Sequence, residues 1–282
     1  GELPAGTVCL LVADEGLGRI GLVDRVARLM GERGVDLLRC AGIRPEPGSA
    51  AVEEAFAAFR AGGAGAIVGL GGGSALDAAK GVAALAAAAG TLRDHGDGRE
   101  VTGPLPPLYA IPTTAGTGSE ATRVAVITDE ERGEKMAIRG EGLLPRAAAL
   151  DPDLVATLPA GIAAATGADA LAHAVEAYVS RRATPLTDHA ALAAIEGIGR
   201  YLRIFVKSRG DGEAGLGMLL AANLAGQAFT NAGLGLVHSL AEPFGARHGV
   251  GHGLACALYL PVVMTFNLPA APARFARIER AL

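Results

Sequence analysis

Asp169 and His173 stand four residues apart in Thr166-Gly167-Ala168-Asp169-Ala170-Leu171-Ala172-His173-Ala174-Val175-Glu176. The run is strongly helical, so the two side chains project from one face about one turn apart. Apolar neighbours on both sides mark a buried helix, where an unpaired carboxylate is costly and a metal or cationic partner offsets its desolvation. A structural ion pair explains the same spacing equally well. Two more imidazoles follow, His238 at the end of Gly233-Leu234-Gly235-Leu236-Val237-His238 and His252 in Arg247-His248-Gly249-Val250-Gly251-His252-Gly253, each ahead of a helical pattern. Asp169, His173, His238 and His252 together make a three-nitrogen, one-oxygen set that suits Zn²⁺ or Fe²⁺, and the donor types do not choose between them. His248 rivals His252 and reads as a surface or supporting group. His95 and His189 lie amid polar residues and are expected to face solvent.

Three glycine-bearing loops could meet a nucleotide. Val68-Gly69-Leu70-Gly71-Gly72-Gly73-Ser74 follows an apolar strand and opens a helix, and unhindered N–H groups at a positive helix end favour a phosphate. The glycines allow close backbone approach, Ser74 can cap the helix and bond an oxygen, and Asp77 completes a capping pattern. A tight strand-to-helix turn is the plainer alternative. Gly16-Leu17-Gly18-Arg19-Ile20-Gly21 fits the dinucleotide pattern GxGxxG, but Asp14-Glu15 intervene after the strand and Arg19 charges the loop, which counts against it. Asp14, at the end of the first strand, has the chemistry to accept from a ribose and repel a 2′-phosphate, or simply to cap the next helix. Ile111-Pro112-Thr113-Thr114-Ala115-Gly116-Thr117-Gly118-Ser119-Glu120 concentrates four hydroxyls directly after a strand and can line a polar ligand.

The elements that must position these groups change character along the chain. In the first half, short β-rich runs alternate with Ala-rich amphipathic stretches, the pattern of an α/β domain with a mainly parallel, Rossmann-like sheet. Strands are expected at Val8–Val12, Val35–Arg39, Ala66–Val68, Leu108–Ile111, Arg123–Ile127 and Ala148–Leu150, and helices at Arg19–Arg33, Ala50–Ala61 and Ser74–Ala88. Beyond Asp151-Pro152 long Ala/Leu-rich helical patterns take over, which divides the chain into an α/β domain, 1–156, and an all-helical one, 157–282. The last residues, Ala276-Arg277-Ile278-Glu279-Arg280, are still helical in pattern without a cap, so the helical part reads as incomplete. With 282 residues, half of them apolar, a sizeable core is feasible. A formal charge of −4, with no basic cluster interleaved with aromatics, gives no reason to expect nucleic acid. The longest apolar stretches, Gly81–Leu92 and Leu254–Phe266, fall short of the ~20 residues needed to cross a bilayer, and Pro261 interrupts the second, so no membrane span is expected. Gly1-Glu2-Leu3-Pro4 lacks the basic and apolar regions of a secretory signal, making the cytoplasm the expected location. Cys9, Cys40 and Cys256 share no CxxC spacing and read as core thiols.

Taken together these stretches resemble the iron-containing (group III) alcohol dehydrogenases, and the likeness runs from Val8 to Leu282. It is carried by Gly71-Gly72-Gly73-Ser74 with Asp77 and Lys80, by Pro112 to Glu120, by Thr166 to Glu176, by Asn231 to His238, and by His252-Gly253. The resemblance implies a dehydroquinate-synthase-like architecture and a metal-dependent oxidoreductase that moves a hydride reversibly between a nicotinamide cofactor and a small alcohol or aldehyde, and Asp14 alone favours NAD over NADP. It matches Asp169, His173, His238 and His252 to the ligands of an ion that is usually Fe²⁺ and sometimes Zn²⁺. It gives the pyrophosphate to Gly71, Gly72, Gly73 and Ser74, with Asp77 in the same motif. It lines the cofactor groove with Thr113, Thr114 and Thr117, has Asp14 read the adenosine ribose, and brings Lys135 to the cofactor. A homodimer is the family's common habit.

The sequence also departs from the family. Glu242 stands where many members carry a second histidine near the substrate, Pro45-Glu46-Pro47 puts an acid where Asn or Asp is frequent near the nucleoside, and Gly251 replaces a common proline. The chain also ends short of the usual C-terminal helices. Glu242 or His248 is therefore expected to carry the proton to solvent. A dehydroquinate-synthase-like lyase on the same scaffold is one alternative, but few cations lie near the ligands to grip an acidic, phosphorylated substrate. A non-catalytic binding protein is the other, and retention of all four ligands argues against it.

Overall fold

The computed structural model describes residues 3–4, 6–87 and 90–282. The first of two compact units runs to Pro112 and resumes over Thr122–Ala149. Its strands are β1 (Val8–Asp14), β2 (Asp36–Ile43), β3 (Ala66–Gly71), β4 (Leu108–Pro112), β5 (Val124–Asp129), β6 (Glu134–Arg139) and β7 (Ala147–Ala148). Its helices are α1 (Glu15–Arg19), α2 (Leu22–Gly31), α3 (Ser49–Ala61), α4 (Gly73–Ala87) and α5 (Leu92–Gly96). Five strands pair in parallel in the order β2-β1-β3-β4-β7. Both faces of this sheet are covered, which is why β1 is apolar from Val8 to Ala13. Cys9, Leu11 and Ala13 pack with Val23 and Val26 of α2 on one side, while Leu10 and Val12 pack with Val52 of α3 and Ala78 and Val82 of α4 on the other.

The sequence reading differs from this unit at several points. The expected Arg19–Arg33 helix is broken at Gly21, whose φ of 75° no helix interior accommodates, so α1 and α2 are separate. The Arg123–Ile127 strand is not in the parallel sheet; as β5 it pairs antiparallel with β6 in a ribbon of its own. The β6 sequence Glu-Lys-Met-Ala-Ile-Arg hides its alternation behind charged ends, although Met136 and Ile138 point inward. The expected end of the third helix at Ala88 lies outside the described residues, as do Gly1 and Glu2.

Helix α4 and helix α5 anchor the ribbon. Lys80, fully buried, donates to Thr122 Oγ1 at 2.8 Å and to the Val124 carbonyl at 2.9 Å, and Asp77 accepts from Val126 N–H at 2.9 Å. Arg93 grips the buried Asp129 carboxylate with two donors, at 2.6 and 2.9 Å, while the N–H groups of Glu131 and Arg132 donate to the same carboxylate. His95 lies in this region and is buried, contrary to the solvent-facing expectation, with Nδ1 3.0 Å from the Arg99 carbonyl. Polar neighbours in sequence gave no sign that α5 turns His95 inward.

The second unit comprises Thr113–Ala121 and Leu150–Leu282. It is helical: α6 (Ala160–Val179), α7 (Pro185–Lys207), α8 (Gly212–Ala232), α9 (Leu236–His248), α10 (His252–Asn267) and α11 (Pro272–Ala281). Helix α6 packs against α7, α8 and α10, and small residues set the spacing. A Cβ on Gly253 of α10 would fall 2.4 Å from the Ala165 carbonyl of α6, so the two backbones touch where His252 begins its helix. Pro261 does not stop α10, which continues through a 3₁₀ turn as a segment, His252–Ala270, whose length and composition suffice to cross a membrane. The stretch judged too short in the sequence is thus longer in the fold. Its Ala255, Cys256, Leu260 and Val263 belong to the core of the helical unit, while Leu254, Leu258, Val262 and Phe266 are exposed.

Hydrogen bonds from Arg93 hold Asp129 down to about 2, against the opposing effect of desolvation. A carboxylate depressed on folding stabilises above its unfolded value, near 3.9, and that contribution disappears as pH falls through about 2. Asp129→Asn is therefore expected to unfold at lower temperature than the parent at pH 6, with the gap closing between pH 4 and pH 2. A gap that persists at pH 2 in thermal melts would contradict the role given to this ion pair.

Candidate metal centre and cofactor loops

Helices α6, α9 and α10 bring four donors to one point. Asp169 Oδ1 lies 3.8 Å from His173 Nε2, 3.6 Å from His238 Nε2 and 3.5 Å from His252 Nε2. None of these is a hydrogen bond. Among the described residues, Asp169 Oδ1 and His238 Nε2 are buried with no hydrogen-bond partner, and so is His173 Nδ1. Donors bound at about 2.1 Å to a shared tetrahedral ion are separated by roughly 3.4 Å, which is the spacing found around Asp169. A buried oxygen and imidazole nitrogens that face one another without a hydrogen bond are a set that a cation completes. The charges agree. Burial alone would raise the Asp169 carboxyl, but the three histidines hold it well below the usual carboxylate range. Burial opposes a charge on His238, yet Asp169, Cys256 and Glu176 outweigh it and push it up to about 12. Burial takes His173 the other way, down to about 4, against the pull of Asp169. Positive charge is thus favoured at the centre of the group.

Each ring is fixed by its surroundings. His173 is stacked between Phe229 at 4.4 Å and His238 at 4.6 Å, measured between ring centroids. His238 Nδ1 lies 2.6 Å from Glu176 Oε2, which turns Nε2 toward Asp169. The same carboxylate accepts from Gly235 N–H at 2.9 Å and Val237 N–H at 2.6 Å. Glu176 therefore places an anion at the positive end of α9 while it orients the first side chain of that helix able to bind a metal. Burial would raise this carboxyl, but the His238, Gly235 and Val237 hydrogen bonds keep it below its ordinary value. Glu176 ends the motif Asp169-to-Glu176, three residues after His173, yet nothing local in the sequence reveals that its partners lie about sixty residues on.

The glycine loop sits at the carboxyl end of β3 and opens α4. Gly71 has φ 150°, and a Cβ there would land 2.3 Å from Asp14 Oδ2. Asp14, at the end of β1, accepts from Gly72 N–H at 2.8 Å, so it is tied to this loop from below; burial raises its carboxyl and the Gly72 bond opposes that. Ser74 lies within the first turn of α4, which begins at Gly73, and its Oγ accepts from Glu46 N–H at 3.3 Å, while Asp77 accepts from Val126 N–H in the ribbon. Among the described residues Glu46 is the non-glycine residue with positive φ, 56°, and its side chain takes Lys135 Nζ at 2.9 Å. Ser74, Glu46 and Lys135 thus meet beside Gly72 and Gly73. Gly16 and Gly18 of the GxGxxG match lie in α1, with open space where a Cβ would be.

The hydroxyl-rich loop belongs to the helical unit. Gly118, at φ 62°, presses on the α8 backbone, where a Cβ would meet the Ala222 carbonyl at 2.8 Å. Thr113 is buried, Thr114 half-buried, and Thr117 Oγ1 accepts from Ser119 N–H at 3.3 Å. Glu242 stands one turn beyond His238 on α9 and is exposed; His248, in the last turn, is exposed with its ring against Phe244 at 4.8 Å. His189 is exposed. Cys256, read as a core thiol, is buried but lies 3.6 Å from His252 Nε2, at the edge of the donor cluster.

An α/β unit with a glycine loop at the carboxyl end of its sheet, joined to a helical unit with an Asp/His₃ cluster, defines the dehydroquinate-synthase-like class of fold. Residues 2–152 match the family model for iron-containing alcohol dehydrogenase, and residues 163–282 match that for the Fe-containing alcohol dehydrogenase family, C-terminal. The NAD-dependent methanol dehydrogenase of Bacillus methanolicus is 42% identical over 97% of this chain and 72% of its own length. A 1,3-propanediol dehydrogenase of Klebsiella pneumoniae is 42% identical over 100% of this chain and 73% of its own. A crystal structure of 1,3-propanediol oxidoreductase superposes with a TM-score of 0.95 at 42% identity, covering 98% of this chain and 72% of that one. The chain belongs to the iron-containing alcohol dehydrogenase family, and it is a metal-dependent oxidoreductase.

If Glu176 sets the direction of His238, Glu176→Gln should weaken Zn²⁺ binding by about 10- to 100-fold. Competition against a chromogenic chelator measures this directly; undiminished affinity would show that the helix holds His238 in place without the carboxylate.

Proposed function

We propose that Asp169, His173, His238 and His252 hold one divalent ion, Fe²⁺ or Zn²⁺, beside which a small primary alcohol and its aldehyde are interconverted with NAD(H). The observation that carries this reading is the buried Asp169 Oδ1, which lacks a hydrogen bond while three imidazole Nε2 atoms stand 3.5 to 3.8 Å from it. The names of the relatives, which refer to methanol and 1,3-propanediol, support a short primary alcohol. An ion in this cluster supplies Lewis-acid polarisation of the substrate oxygen, which lowers the need for a strong base.

The protein's own groups do the rest. Glu176 keeps the proton of His238 on Nδ1, so that Nε2 presents a lone pair. His252, with its side chain 36% exposed, marks the accessible side of the cluster where substrate enters. Gly71, Gly72, Gly73 and Ser74 receive the pyrophosphate at the start of α4, Asp77 holds the ribbon against that helix, and Thr113, Thr114 and Thr117 line the cofactor groove. Lys135, steered by Glu46, contacts the nucleotide. Asp14, whose position is set by Gly72 N–H, accepts from the adenosine ribose and excludes a 2′-phosphate, which favours NAD over NADP. Glu242 and His248, both exposed on α9, pass the alcohol proton to solvent. The enzyme works as a homodimer in the cytoplasm.

Elemental analysis of anaerobically purified protein should find about one Fe or Zn per chain, and NADH should form with small primary alcohols. Asp169→Ala should lose both the metal and the activity; a variant that keeps either would overturn the assignment. Asp14→Asn keeps an acceptor for Gly72 N–H but removes the charge, and should narrow the preference for NAD over NADP roughly tenfold. Unchanged discrimination in kcat/KM between the two cofactors would take that role from Asp14.

A further inference from the structure

We propose that Glu46 is a competitor built into the cofactor loop: its carboxylate holds Lys135, and the dinucleotide's phosphates must win that ammonium from it. The inference rests on reading Gly71 to Ser74 and Lys135 as groups that meet the cofactor. Lys135 Nζ donates to Glu46 Oε1 at 2.9 Å, while the Glu46 N–H donates to Ser74 Oγ at 3.3 Å. One residue thus engages the hydroxyl at the start of α4 with its backbone and the neighbouring ammonium with its side chain. The ribbon holds both partners in place. Thr128 N–H of β5 donates to the Pro47 carbonyl at 2.8 Å, and Thr128 is the register partner of Lys135 on β6. The turn that carries Glu46 and the strand that carries Lys135 are therefore tied to one residue, so the pair is more than a chance meeting of two long side chains.

Glu46 keeps an unfavourable backbone to stay there. Its φ of 56°, between Pro45 and Pro47, is a left-handed conformation that a residue with a Cβ enters against steric resistance. Strain retained at a ligand loop is a reason to look for a task, and the local charges supply one. Asp14 already places a carboxylate under the loop, where it takes Gly72 N–H, so the loop needs a cation to favour two phosphates. Lys135 is such a cation, and Glu46 neutralises it. The pair is partly open to solvent, with the Lys135 side chain 28% and that of Glu46 60% exposed, and pairs of this kind are weak enough to open at each encounter with an anion. When the dinucleotide leaves, Glu46 recaptures Lys135. Affinity is given up for faster exchange, which shortens a step that limits many enzymes.

Glu46→Gln tests this, because glutamine keeps the reach, an acceptor for Lys135 and the backbone N–H to Ser74 while the charge goes. Titration of the full chain with NADH, followed by the fluorescence of the dinucleotide, should show binding about two- to fivefold tighter in Glu46→Gln, the range of an exposed ion pair. In stopped flow the gain should appear as slower dissociation. Lys135→Met should weaken NADH binding, and adding Glu46→Gln to it should bring no further change. Unchanged or weaker binding in Glu46→Gln, with Lys135→Met still weakened, would show that Glu46 merely steers the lysine and would overturn the competition. An equal gain with and without Lys135 would overturn it too, since repulsion between Glu46 and the phosphates would then account for the effect. NADH affinity that ignores Lys135→Met would remove Lys135 from the cofactor site, and the competitor with it.

Discussion

A carboxylate taken wholly out of water is the constraint around which the helical unit is arranged. Asp169 lies in the middle of α6 among alanines, where its charge has no solvent and no hydrogen bond to Oδ1. Such a group is costly unless positive charge comes to it, and the three neighbouring helical positions that face it are all imidazoles. The demand propagates outward. His238 can serve Asp169 only if its other nitrogen is held, Glu176 holds it, and Glu176 in turn fixes the start of α9 through two backbone N–H groups.

Close packing makes that convergence feasible. Helices separated by large side chains would leave the donors too far apart for one ion, and here the approach is governed by glycine and alanine. Gly253 lets α10 lie against the carbonyl of Ala165, and Gly118 lets the hydroxyl-rich loop rest on α8. The high alanine and glycine content of the sequence, which by itself signals only a helical core, is in this unit a device for bringing backbones together. The first unit uses glycine differently: Gly71 adopts a backbone angle that side chains avoid, and it leaves room for Asp14 beneath the loop.

Much of this was legible in the residues. Helical spacing paired Asp169 with His173, strand-then-glycine punctuation located the loop at Gly71 to Ser74, and continuous apolar runs indicated a covered parallel sheet. What stayed hidden was tertiary. Glu176 sits in a motif already singled out, yet its importance depends on an element far along the chain. The ribbon strand β6 escaped because charged residues obscure its period of two, and the burial of His95 escaped because its sequence neighbours are polar. Cys256, by contrast, packs in the core of the helical unit as a solitary cysteine is expected to.

The assignment of Thr113–Ala121 to the helical unit, between two stretches of the α/β unit, means that the polypeptide passes from one unit to the other three times, after Pro112, after Ala121 and after Ala149. The units are therefore not beads on a string. A chain cut once anywhere yields at least one piece in which a unit is unfinished: a break after Pro112 strips the α/β unit of its antiparallel ribbon, and a break after Ala149 strips the helical unit of its hydroxyl-rich loop. During synthesis the ribbon emerges only after a segment whose own packing partners, in α6 and α8, have yet to be made. The interleaved covalent path thus ties the completion of each unit to the other's chain.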